Sequence, residues 1–477
     1  MSDFKALAKH SANYLVATIA TKALAFISIP VYTRLLTVAE YGVMQVFLST
    51  IGIVQVLLTL DSEVAVSRYF FDAKNEQDFK EFVSTTIKVS LRIWCLMTVI
   101  MLLCVPWLAK ELSFSYLLTI AIIPVATYQV VNSIFTQIYQ PLLQSRKVAI
   151  VSSIQVYLAF GLSIVYILLL KHDKYYGYVL GTITAMLLLS VYLINQIKPF
   201  YVKTHIKKEH VSYILKYCLP YIPYTLSGLI LAQFGKIVMN NYGGFETAGV
   251  YSFTANIGAL MLIVLSVTDS AWSPYYLRYM TDKDYKSVEK DYNLIWRVTL
   301  VCGLGLSLFG KEIGIILGKP EYLGCLYILP ILVVGYIFYQ WSYVYLRGAG
   351  FAKRMIWNAV AVLTAGVCNV LLNVILVQRY AEVGIAVSFA VSYLVMLLVS
   401  FVINKFIIKQ YVPNIMKFCI PFVISLPFLV VAGYINYYGI GLDFKQIVLK
   451  TGILLLFSVT ILMRYFILLW EKKVNHI

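Results

Sequence analysis

The chain has 477 residues, 61% of them hydrophobic and only 13% charged, with a mean hydropathy of +0.81 and a net charge of +17. A soluble globular chain carries about 25% charged residues, so a water-soluble domain is excluded. The basic excess calls for no nucleic acid, because positive charge between apolar runs is what an anionic membrane leaflet selects.

In chain order, apolar runs fall near residues 12–32, 43–65, 83–108, 115–138, 148–170, 176–196, 217–240, 248–272, 294–317, 326–346, 356–377, 383–404, 418–437 and 448–469. Each is long enough to cross a hydrocarbon layer of about 30 Å as a helix, whereas the alternating segments of a membrane barrel are missing. The expected fold class is an all-α polytopic membrane protein with about fourteen transmembrane helices. Met1 to His10 is short and polar and the first run is a full span, so no cleaved signal is expected. Cys95, Cys104, Cys218, Cys302, Cys325, Cys368 and Cys419 are scattered without a CxxC spacing and read as free packing residues. No cofactor or metal is called for.

The runs repeat. Lys9, Gly42, Arg146-Lys147 and Gly177 recur 207 residues later as Lys216, Gly249, Lys353-Arg354 and Gly384. A constant offset over so long a stretch indicates two copies of one six-helix unit, an arrangement known from transporters. The expected division is 1–200 for the first lobe, 201–410 for the second, and 411–477 for two added helices and a tail. The longest polar stretches, 72–88, 198–216 and 278–291, fall on one side of the membrane, and most of the 39 Lys and Arg fall there too. By the positive-inside rule that side is cytoplasmic and holds both termini.

Polar side chains inside spans are costly and each needs a reason. Tyr14, Thr18, Thr21 and Lys22 share a face of the first span. Gln45, Ser49, Gly52, Thr59 and Glu63 share one of the second, where Gln45 and Glu63 lie five whole turns apart. Asp61 points to the opposite side. Gln233, Lys236 and Asn240 line the seventh span, and Ser252, Asn256, Ser266 and Ser270 the eighth, with Asp269 at the margin. Polar faces on matching helices of two repeats imply a watery cavity. Lys22 and Lys236 are the cations expected to hold an anionic substrate there, against the plain alternative that each pairs with an acid and only locks packing. Arg34 in the first outer loop and Arg92 early in the third span are further cationic candidates, though an arginine near a span end often snorkels. Glu63, Asp269 and Asp61 are candidates for coupling transport to an ion gradient.

The run Ile29-Pro30-Val31-Tyr32-Thr33-Arg34-Leu35-Leu36-Thr37-Val38-Ala39-Glu40-Tyr41-Gly42 resembles the first-loop signature of polysaccharide flippases. Asp61-Ser62-Glu63-Val64-Ala65-Val66-Ser67-Arg68-Tyr69-Phe70 is similar to the end of their second helix. Leu219-Pro220-Tyr221-Ile222-Pro223-Tyr224 with Ala248-Gly249-Val250-Tyr251 resembles the start of their second half. The chain thus resembles the Wzx-type repeat-unit flippases of O-antigen and capsule synthesis, in the MOP exporter superfamily that also holds the lipid II flippase and the MATE drug exporters. The resemblance implies two six-helix lobes around a cavity formed largely by helices 1, 2, 7 and 8. It implies flipping of an undecaprenyl-diphosphate-linked oligosaccharide to the outer leaflet of the bacterial inner membrane, with no covalent step and so no catalytic residue. It also implies partners in glycan assembly, a polysaccharide polymerase and a chain-length regulator. A sugar headgroup is too polar to cross hydrocarbon unaided, and alternating access around a polar site would carry it.

Two departures stand out. Family members often carry an acidic-basic pair in helix 7, where this chain reads Gly235-Lys236 and keeps only the base. The two added helices resemble those of the lipid II flippase branch, where such a pair forms a groove for the lipid tail. The rival readings are a lipid II flippase, a MATE-type cation or drug antiporter, and a membrane polysaccharide polymerase. The antiporter should prefer acids in its cavity, and the polymerase should need a large outer loop, whereas the outer loops here are short.

Overall fold

The computed structural model describes residue 24, residues 26–438 and residues 444–474, with side chains through residue 462. Among the described residues all regular structure is helical. Fourteen main helices follow in order: α1 (26–35), α2 (Val38–Thr59), α3 (Glu76–Leu112), α4 (Tyr116–Tyr139), α5 (Ser145–Leu169), α6 (Tyr175–Ile197), α7 (208–243), α8 (245–281), α9 (Tyr285–Leu308), α10 (Leu329–Phe351), α11 (356–380), α12 (382–402), α13 (Met416–Tyr438) and α14 (Phe444–Val474). Among the described residues ten stretches are long and apolar enough to cross a membrane, or up to eleven if α9 and the bent helix Gly310–Leu317 after it form one span. Two of the ten, 208–281 and 356–408, each contain a reversal, at Gly244 and at Ala381, and the first also a turn at 259–260 within α8. The protein is therefore a multi-pass membrane protein, and the sequence expectation of about fourteen helices holds.

Local chemistry sets the helix ends. Thr37 caps α2: its hydroxyl accepts from the Glu40 amide, and the Glu40 carboxylate accepts from the Thr37 amide at 2.9 Å, a reciprocal capping box. Asn75, Ser115 and Asp284 cap α3, α4 and α9 by side-chain acceptors. The α7–α8 reversal turns at Gly244, whose φ is +77°, and Thr247 Oγ1 donates back to the Met239 carbonyl at 3.2 Å. The α11–α12 reversal turns at Ala381, whose φ is +45°.

The chain divides into two compact units, Met1–Gly249 and Val250–Ile477. In the first, α2 packs on α3 and α4, and α5 and α6 form a tight hairpin. In the second, α9 is central and touches α8, α10, α13 and α14. The landmark glycines of the repeat do equivalent work. A methyl group on Gly177 would collide with the backbone of Tyr166 and Ile167, and one on Gly384 with the backbone of Leu376. Each closes the reversal of a helix hairpin. Gly42 and Gly249 meet one another: a Cβ on Gly42 would overlap the Phe245 carbonyl, and one on Gly249 the Val38 carbonyl. Two helix starts can cross this closely only without side chains.

Candidate functional site

The structure joins three of the sequence candidates in the first unit. Lys236 on α7 is buried, and its Nζ donates to Gln45 Oε1 on α2 at 3.1 Å. One turn along α2, Ser49 Oγ donates to the Gln233 side-chain oxygen at 3.1 Å and to the Gln45 carbonyl at 2.8 Å. Gly52 faces Leu229 of α7, where a Cβ would make ordinary contact at 3.5 Å. The polar stripe of α2 and that of α7 thus face each other. A lysine in the interior of a span costs a few kcal/mol on insertion scales, and here the Gln45 amide oxygen meets it. Asn240, one turn beyond Lys236, is buried and donates to the Leu112 carbonyl at 2.8 Å, at the end of α3. Lys22 lies outside the described residues, with Tyr14, Thr18 and Thr21.

The other candidates lie apart from this stripe. Arg34 is exposed at the end of α1, where its Nη1 donates to the Pro30 carbonyl at 3.2 Å. Arg92 is exposed on α3. Glu40, six residues beyond Arg34 and not itself among those candidates, caps α2 and accepts the Lys174 amide at 2.7 Å. Asn256 is half-buried on α8 in the second unit.

Asp61 and Glu63 sit together where α2 ends. Leu60 and Asp61 both take left-handed backbone, each with φ of 51°, before the short turn Ser62–Val64. Such a conformation costs about 1–2 kcal/mol for a residue with a side chain. Both carboxylates are buried, at 5% and 1% exposure, and neither forms an ion pair among the described residues. Glu63 Oε2 accepts from Thr59 at 2.9 Å, while Asp61 Oδ2 has no hydrogen-bond partner.

Sequence reasoning missed several charged contacts. In the second unit Asp269 on α8 is held by Arg347 on α10, whose Nη1 also donates to Ser273 at 2.6 Å. Arg347 lies one residue past the predicted tenth span, so it read as ordinary topogenic charge. Glu312 and Lys450, both inside predicted spans, form a buried pair with Nζ at 2.6 and 2.9 Å from the two carboxylate oxygens. Opposite charges in two otherwise apolar runs were the available signal. In the first unit His210 on α7 reaches Asp78 and Thr85 on α3 and Tyr69 on the short helix Ala65–Tyr69. Beside it Lys207 pairs with Glu81, which raises the lysine above its ordinary value through their hydrogen bond. Lys88 donates to the Thr204 carbonyl, and Ser84 accepts the Val202 amide, so the segment before α7 is strapped to α3.

Comparison with known proteins follows the same lines. The model of a family described as polysaccharide biosynthesis protein matches residues 7–280. No curated protein sequence matches the chain. Among solved structures, the lipid II flippase MurJ in an inward closed conformation aligns with a TM-score of 0.68 at 16% identity, covering 95% of this chain and 99% of that one. An outward-facing multidrug resistance MATE family transporter of the MOP superfamily aligns at 0.60 and 16% identity, covering 85% and 96%. A MOP superfamily transporter from Pyrococcus furiosus, titled for the reverse polarity of its binding pocket, aligns at 0.56 and 16% identity, again covering 85% and 96%. These likenesses show the fold, and the family match spans more than half of the chain. The protein belongs to the polysaccharide biosynthesis protein family, and it has the fold of MurJ and of the MATE transporters.

Proposed function

We propose that this protein carries undecaprenyl-diphosphate-linked oligosaccharide repeat units, of the O-antigen or capsule kind, from the cytoplasmic to the outer leaflet of the bacterial inner membrane. The observation that carries the reading is the buried Lys236, offered among the amides of Gln45 and Gln233 and the Ser49 hydroxyl. A cation for the diphosphate beside neutral donors and acceptors for a glycan is the chemistry such a substrate needs. A cationic drug would be repelled there. Lys22 is proposed as the second cation on the strength of its place in the first span. Arg34, Arg92, Asn240 and Asn256 are proposed as further substrate contacts, and Glu63, Asp61 and Asp269 as the acids that couple the cycle to ions. Both termini are taken as cytoplasmic from the basic side of the sequence. Translocation is by alternating access, with no covalent chemistry, and the polymerase and chain-length regulator of glycan assembly are the proposed partners. MurJ is named a lipid II flippase, and lipid II is the second reading, since it shares the diphosphate lipid.

Complementation of a strain lacking its repeat-unit flippase tests this. Wild type should restore surface glycan. Lys236→Ala should abolish it at equal membrane abundance, and Lys236→Arg should restore part of it. Full activity of Lys236→Ala would remove the proposed substrate site.

A further inference from the structure

Arg347 is the one charged residue of Leu329–Phe351, and it lies four residues, about 6 Å, from the end of α10 that leads into Lys353-Arg354. That end belongs to the basic face. All three nitrogens of the guanidinium are engaged, but on only two acceptor oxygens. Its Nε and Nη2 both donate to a single oxygen of Asp269, Oδ1, and its Nη1 donates to Ser273. A fork-to-fork pair would use both carboxylate oxygens. The two side chains keep 19% and 29% of their exposure, so solvent screens the attraction and another anion can reach it. The neighbourhood also holds unused bonding capacity. Trp272 Nε1, one turn past Asp269, and Gln340 Oε1, two turns before Arg347, are buried without a hydrogen-bond partner. Buried polar atoms are nearly always paired, and these two lie within two turns of Asp269 and Arg347 along their helices.

We propose that Arg347 is the residue that first takes up the substrate's diphosphate on the basic face of the second unit, exchanging Asp269 for it. The inference rests on the lipid-diphosphate reading above. A planar guanidinium matches a phosphate with two parallel hydrogen bonds, and a diphosphate brings more charge and more acceptor oxygens than one carboxylate. Asp269 keeps the arginine oriented until the substrate arrives and competes with it thereafter. Removing the acid should therefore tighten substrate binding, whereas removing the arginine should weaken it. A purely structural ion pair predicts that both changes do harm.

Binding to the full chain in detergent, read by native mass spectrometry with undecaprenyl diphosphate and separately with inorganic pyrophosphate, decides the matter. Wild type should bind the lipid, Arg347→Gln should weaken binding tenfold or more, Arg347→Lys should fall between them, and Asp269→Asn should tighten it severalfold. A gain of affinity cannot come from misfolding, so the Asp269 variant keeps the test decisive if the arginine variants insert poorly. Equal lipid binding by wild type and Arg347→Gln overturns the proposal while leaving the function above intact. Weakening by Asp269→Asn overturns it too. If pyrophosphate binds as tightly as the lipid, the ligand is a free anion and the assignment to the lipid headgroup is wrong. If wild type binds neither probe, the lipid-diphosphate reading falls and this proposal falls with it.

Discussion

Replacing Lys450 with Met should detach α14 from its unit. Inside a bilayer no hydrophobic force draws one helix to another, so polar ties and close packing must hold them. The outer side of α14 presents Val448, Leu449, Leu455, Leu456 and Val459, all exposed and suited to lipid. Two polar ties join α14 to the helix Tyr285–Leu308 and the short helix after it. Lys450, at 1% side-chain exposure, meets both oxygens of Glu312, and Arg297 donates to the Ile461 carbonyl while Asn293 orients it at 2.6 Å. Breaking a buried pair by removing one partner typically costs about 3–5 kcal/mol, because a charge is left buried alone. Glu312 keeps 11% exposure, which favours the lower end, about 3 kcal/mol, or roughly a hundredfold in the folding equilibrium. Replacing both partners with apolar residues should recover most of the loss, since a well-packed apolar pair is often as stable. Steric-trap unfolding in bicelles of wild type, Lys450→Met, Glu312→Leu and the double variant measures each term. A cost below about 1 kcal/mol for Lys450→Met, or a double variant as unstable as the two singles added, would refute the reasoning.

Gly42→Val should prevent the α2 and α8 starts from crossing, because the new Cβ falls on the Phe245 carbonyl and backbone cannot rotate away. Gly249→Val should fail in the same way, and normal folded yield of either by fluorescence-detected size exclusion would contradict the packing described. His210→Ala should cost about 1–2 kcal/mol by leaving Asp78 and Thr85 without their shared partner. It should also speed proteolysis within residues 198–207, and an unchanged cleavage rate would show that the strap to α3 does not depend on the histidine. The complementation test of Lys236 and the binding test of Arg347 complete the set.

The fold was legible because a membrane demands one simple signal, a long apolar run, and the chain supplies it fourteen times. The repeat was legible for a sharper reason. Gly42, Gly177, Gly249 and Gly384 are fixed by backbone contacts that admit no side chain, so their spacing survives where the apolar filler between them drifts. The polar face of Gln45 on α2 and that of Gln233 and Lys236 on α7 each followed from the periodicity of its own helix. Periodicity could not reveal which acid meets which base. Asp269 read as a marginal member of its face, and Arg347 as a charge at a span end. Their pairing depends on how α8 lies against α10, and no spacing within one helix encodes that. Lys450 and Glu312 are separated by 138 residues and failed for the same reason.

The repeat offset gives one more argument about the acids. Shifted by 207 residues, Ser62 becomes Asp269 and Gln140 becomes Arg347. The first unit therefore carries carboxylates on either side of the equivalent position, Asp61 and Glu63, and a neutral amide where the second unit has its arginine. The equivalent positions of the two repeats differ in chemistry. Asp269 is paired with the Arg347 guanidinium, and the exchange proposed above would release it only when a competing anion arrives. Asp61 and Glu63 have hydroxyls, not cations, as their described polar neighbours. Two buried carboxylates so close cannot both hold charge cheaply, and either can exchange a proton without breaking an ion pair. The left-handed residues Leu60 and Asp61 place that exchange at a strained break in α2, the helix that also presents Gln45 to Lys236. Of the three acids proposed for ion coupling, the two in the first unit thus have the chemistry for it, and Asp269 has the chemistry for substrate exchange. The experiment that separates these roles is the proton dependence of transport in Glu63→Gln and Asp269→Asn. Loss of that dependence in the first variant and its survival in the second is the expected pattern, and the reverse would assign the roles the other way round.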